Sequence, residues 1–103
     1  MTHWVYVIEL DPEVVRSSAF RTQNPHWETA DRCFYVGETA REPAVRFEQH
    51  KAGGRLSSSI VRRWGRYLRT RMCRRCADRS EGRRLERETA ERLRRKGHAA
   101  YFN

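Results

Sequence analysis

No stretch of this 103-residue chain approaches the roughly 18 consecutive apolar residues that a membrane-spanning helix requires, which argues against a membrane protein. The opening Met1-Thr2-His3-Trp4 has neither the charged nor the apolar region of a signal peptide, so a cytosolic protein is expected. Cysteine is scarce and odd in number, at three, which suits a reducing compartment better than a disulfide framework. Repeats are absent, and so is any low-complexity tract beyond an abundance of arginine. Lysine is nearly missing too, because only Lys51 and Lys96 are found among the 22 basic residues.

What is present is positive charge, net +9, and it is unevenly placed. Residues 1–40 hold 3 basic and 6 acidic side chains, whereas residues 41–103 hold 19 basic and 7 acidic ones. Such a field attracts phosphate backbones without reading base sequence, and it favours an anionic polymer over a small acidic substrate. A compositional bias toward arginine is the plainer but less favoured alternative for the excess taken alone. The length fits one domain, residues 1–103, with a single modest core.

"HWVYVIEL" (3–10) is rich in β-branched and aromatic residues and predicts a first strand, with Trp4, Tyr6 and Ile8 on one face and Val5 and Val7 on the other. Large apolar groups on both faces predict a central strand covered on both sides. Residues 11–31 carry two prolines and no sustained period, so they read as a long connection with at most a helical turn near Glu13 to Arg16. "RCFYVGE" (32–38) predicts a second strand, paired antiparallel with the first.

Pro43 suits the first turn of a helix running to about Lys51, stopped by Gly53-Gly54. Ser57 to Ser59 offer caps for a short helix through Ile60, Val61 and Trp64. "RYLRTRM" (66–72) is a candidate edge strand, residues 73–80 show no pattern, and Glu81 to Lys96 predict a long helix ended by Gly97. "HAAYFN" (98–103) is a candidate last strand.

Three groups of residues carry chemistry. Arg46 and His50, four apart on the helix opened by Pro43, share one face; the guanidinium can fork onto a phosphate, or both side chains can be solvated decoration. On the long helix, at 100 degrees per residue, Leu85, Thr89, Leu93 and Gly97 form a stripe, and Glu86 falls in the same arc. A carboxylate on an apolar face must be ion-paired, protonated or bound to a cation. Glu86 suits Mg²⁺ or an internal Glu–Arg pair equally on this ground. Cys73 and Cys76 form a C-x-x-C without the second pair of ligands that zinc requires, and unpaired thiols are the better reading.

Taken together, these residues resemble the GIY-YIG nuclease family. Trp4-Val5-Tyr6 looks like its first motif, with Trp4 where the family has glycine, and Tyr35-Val36-Gly37 looks like its second. Arg46 and His50 are similar to the arginine and histidine of the family's first helix, and Glu86, within "LERETAERLRRKG", to its metal-binding glutamate. The interval from Gly37 to Arg46 is longer than in the DNA-repair members.

The resemblance covers essentially the whole chain and is nearest to small stand-alone bacterial members. It implies an α/β (α+β) fold with a central antiparallel three-stranded sheet flanked by helices. It also implies a DNA endonuclease in which Glu86 holds one Mg²⁺ or Mn²⁺, Arg46 neutralises the developing charge, and Tyr6, Tyr35 and His50 share the handling of the attacking water. Arg46, Lys51, Arg62 and Arg63 are the expected phosphate contacts. A non-catalytic basic binding module on the same fold is the alternative, and a component that needs another chain to become active is a third reading. The joint presence of Tyr6, Tyr35, Arg46 and Glu86 favours the enzyme.

Overall fold

The structure is a computed structural model that describes residues 3–55 and 57–103. Met1 and Thr2, part of the tetrapeptide read for a leader, lie outside the described residues. Among the described residues five strands form one sheet: β1 (His3–Leu10), β2 (Cys33–Thr39), β3 (Gly65–Leu68), β4 (Arg74–Cys76) and β5 (Ala99–Tyr101). The α-helices described with them are α1 (Ser18–Gln23), α2 (Pro43–Ala52), α3 (Ser59–Trp64) and α4 (Arg79–Arg95).

The α/β class and the expected antiparallel core are present as β3-β1-β2, but the sheet has five strands rather than three. β4 pairs with the His3–Val5 end of β1, and β3 with its Ile8–Leu10 end, so two short strands share one edge of β1. β5 pairs in parallel with β2 at Cys33–Tyr35. At three residues each, β4 and β5 are too short to display alternation, and β4 is Arg-Arg-Cys, with no apolar face to betray it. The candidate strand at 66–72 is strand only through Leu68, and Thr70–Met72 turns as a 3-10 helix.

β1 is central and covered on both sides, as its composition predicts. Tyr6, Ile8 and Leu10 pack on one face with Val14, Phe20, Tyr35, Ile60 and Val61. Val5 and Val7 pack on the other with Phe34, Val36 and the α4 residues Leu85, Ala90 and Leu93. The segment 11–31 is not a bare connection: Pro12–Arg16 and Trp27–Thr29 are 3-10 turns, α1 lies between them, and Val14, Phe20 and Asn24 are fully buried. Asp11 and Ser17 cap these turns through Glu13 N–H (2.8 Å) and Phe20 N–H (3.2 Å).

Both long helices begin where capping chemistry directs. Pro43 opens α2, and Asp78 caps α4 by accepting from the Glu81 N–H at 2.9 Å, so α4 starts at Arg79, two residues before the expected Glu81. Gly97, at φ +93°, takes the left-handed conformation that ends α4. No helix among the described residues is long and apolar enough to cross a membrane.

Candidate active site

The antiparallel register sets Tyr6 opposite Gly37 and Ile8 opposite Tyr35, which puts both tyrosine rings diagonally on one sheet face. α2 packs over that face and delivers His50, and the three rings stand 5.8 to 6.1 Å apart, centre to centre. Gly37 makes this possible. A Cβ there would sit 2.4 Å from Cζ and Oη of Tyr6, so the second motif needs glycine to admit the tyrosine of the first.

His50 is buried and its tautomer follows from its partners. The Ser58 N–H donates to Nδ1 at 2.8 Å, so Nδ1 carries no proton. Burial, with Arg46 adding to it, lowers its pKa to about 4, and the neutral ring therefore keeps its proton on Nε2. That N–H donates to Tyr6 Oη at 2.8 Å.

The tyrosine pKa values are both raised, chiefly by burial. Arg46 opposes this in both rings, while the negative charge of Glu86 adds to it at Tyr35. Tyr35 Oη also accepts from Asn103 Nδ2 at 3.2 Å.

β5 leaves the far half of the β2 edge, Val36 to Thr39, without a strand partner among the described residues. α4 covers this opening from the opposite sheet face. Glu86 lies 7 % exposed on its buried side, as the helical arithmetic predicts, and accepts from the backbone N–H of Glu38 on the open edge. Its pKa rises to about 7, because burial and the neighbouring Glu38 carboxylate outweigh Arg83 and that N–H. Glu38 itself contacts His3 Nε2 and lies 3.7 Å from Arg79 Nε.

A cleft of about 540 Å³ wraps this edge, and Tyr6, Tyr35, Arg46 and Glu86 all line it. His50 sits behind Tyr6 rather than in the lining. Lys51, Arg62 and Arg63 are not brought to the cleft: Lys51 Nζ donates to the Gly65 carbonyl at 2.8 Å, and the Arg63 guanidinium lies 4.8 Å from the centre of the Trp64 ring.

Glu38, Arg79, Arg83, Arg87, Phe102 and Asn103 also line the cleft, although no sequence motif singles them out. The three arginines carry a usable signal, since positions 79, 83 and 87 recur at helical spacing beside Glu86. Asn103 carries none, because its place depends on β5.

Cys33, Cys73 and Cys76 are free thiols, and no group of three or more His, Cys, Asp or Glu gathers at metal-binding distance among the described residues.

No curated protein and no solved structure matches the chain significantly. The family model described as the GIY-YIG catalytic domain matches residues 2–99, nearly the whole length. With both tyrosines, the arginine and the glutamate gathered in one cleft, the chain belongs to the GIY-YIG family of nuclease catalytic domains.

Proposed function

We propose that this cleft hydrolyses DNA phosphodiester bonds with one divalent cation, Mg²⁺ or Mn²⁺. The observation that carries the proposal is the convergence of two phenols, a guanidinium and an inward carboxylate on one opening. The donor set fits such an ion. Glu86 is a nearly buried oxygen ligand facing the cleft, a second carboxylate, Glu38, lines the same cleft, and hard cations take one or two carboxylates and keep several waters. Bound at Glu86, the ion would supply positive charge against the leaving oxygen.

The chain's own groups do the rest. Arg46 meets the charge that grows on the phosphate, and a guanidinium can do so with two parallel hydrogen bonds. Tyr6 and Tyr35 hold the attacking water through their hydroxyls. At neutral pH both phenols are protonated, so Arg46, which lowers both pKa values, is part of whatever basicity they gain. His50 donates to Tyr6 and so fixes where that hydroxyl points; with its only free lone pair taken by Ser58 N–H, it is a positioning residue and not the acceptor of the Tyr6 proton.

The test is incubation of the purified protein with supercoiled plasmid in Mg²⁺, Mn²⁺ or EDTA, beside Glu86→Gln and Arg46→Ala. Nicking in either metal, its loss in EDTA and a loss of at least about 100-fold in each variant are expected. Equal nicking by Glu86→Gln overturns the assignment. Tight DNA binding with no cutting by the wild type favours the non-catalytic module instead.

A further inference from the structure

The cleft does not end at Arg46. A second groove of about 560 Å³ shares Glu38 and Arg46 with it and continues past Arg41 to Arg55. On the other side a depression of about 310 Å³ lies over Arg79, Ser80 and Arg83, at the start of α4. Arg79, Arg83 and Arg87 recur every fourth residue, so they form a row along one helix face about 12 Å long. That length covers about three to four phosphate-to-phosphate steps of one strand of a duplex, which follow at about 3.4 Å along its axis.

Some arginines outside the groove are used internally. Arg84 pairs with Glu88 at 2.8 Å, Arg69 with Glu9 at 2.6 Å, and Arg94 donates to the Ala100 carbonyl at 2.6 Å. In contrast, Arg41, Arg55, Arg83 and Arg87 form no ion pair with a carboxylate within 4.0 Å among the described residues, and Arg79 has only its 3.7 Å approach to Glu38. Cations exposed along a groove in this way suit an extended polyanion.

We propose that a DNA backbone runs the length of this groove, held on one side of Arg46 by Arg79, Arg83 and Arg87 and on the other by Arg41 and Arg55. Cutting along it rests on the nuclease reading above; the binding track does not. Contacts of this kind read phosphates and not bases, so sequence preference is low.

The track is tested by fluorescence anisotropy with a labelled duplex of about two helical turns, titrated across NaCl concentrations in EDTA so that no cutting intervenes. Three proteins are compared with the wild type after circular dichroism shows each folded: Arg79→Gln/Arg83→Gln/Arg87→Gln, Arg41→Gln/Arg55→Gln, and the off-track control Arg66→Gln/Arg71→Gln, two exposed arginines that line neither groove. Taking one arginine off a phosphate lowers the salt slope by about 0.9, so the slope of the triple variant should fall by about 2 to 3, that of the double by about 1 to 2, and that of the control hardly at all.

A triple variant with wild-type slope, or a control that weakens as much as the triple, overturns the track. Plasmid nicking in Mn²⁺ runs alongside. Binding that depends on the track without nicking by the wild type sinks the catalytic reading alone. Nicking that depends on Glu86 with binding indifferent to the track variants sinks the track alone.

Discussion

Replacing Gly37 with alanine probes the link between strand packing and catalysis. The added Cβ would lie 2.4 Å from Tyr6 Cζ and Oη, whereas carbon atoms settle at about 3.5 to 4.0 Å, so the ring must move by about 1 Å. It has little room to do so: Tyr6 is 1 % exposed, packed at a tilt between Tyr35 and His50, and tethered to His50 at 2.8 Å. Forced overpacking of this kind costs about 1 to 3 kcal/mol of stability. A reacting group displaced by about 1 Å costs about 100-fold in rate.

Gly65→Ala is the matched control, because its Cβ would meet the Val61 carbonyl at 2.5 Å, a comparable clash outside the cleft. Urea denaturation should show both variants destabilised. Plasmid nicking, assayed well below either melting temperature and corrected for folded fraction, should be lost only in Gly37→Ala. Wild-type nicking by Gly37→Ala, or an equal loss in Gly65→Ala, would refute the account of why the second motif carries glycine.

Other outcomes follow from the buried polar groups. His50 has a folded pKa of about 4 against an ordinary 6.5, so the unfolded chain binds the extra proton between these values; stability present above pH 6.5 should fall by about 3 kcal/mol on acidification to pH 4, and His50→Gln should flatten that limb in urea titrations. Glu86, raised to about 7, ionises in the folded protein as pH rises through neutrality, so calorimetric Mn²⁺ affinity should increase from pH 6 to pH 8 and vanish in Glu86→Gln. Asn24 is fully buried and its Oδ1 accepts from Ala100 N–H at 2.9 Å while its Nδ2 donates to the Phe20 carbonyl at 3.0 Å; Asn24→Leu should cost about 2 to 4 kcal/mol in urea denaturation by leaving both backbone groups without their partner.

Local pattern carries the strands with the two tyrosines, the helix opened by Pro43 and the inward turn of Glu86, since each depends on period, proline or helical angle over many residues. The structure departs from that pattern where length fails. Three-residue strands have no period to read, so β4 is invisible in the sequence and β5 only a candidate; with β5 goes the placement of Phe102 and Asn103 at the cleft. The folded segment 11–31 reads as connection because its turns are shorter than two helical periods, although Asp11 and Ser17 are legible as caps. The cleft also recruits arginines from α4, a helix that begins 29 residues after His50, and no local pattern links the two.

The central place of β1 has a kinetic side. Its pairing partners lie at residues 33–39, 65–68 and 74–76, all distant in sequence, and every contact requires a loop to close first. Topologies dominated by such pairings fold slowly, and until they close, a strand with Val5, Val7, Ile8 and Leu10 bare on both faces and hydrogen-bonding groups open on both edges is a template for self-association. Refolding yield should therefore fall steeply with protein concentration, and the excess of arginine, by keeping unfolded chains mutually repulsive, is a counterweight to aggregation as well as a hold on phosphate.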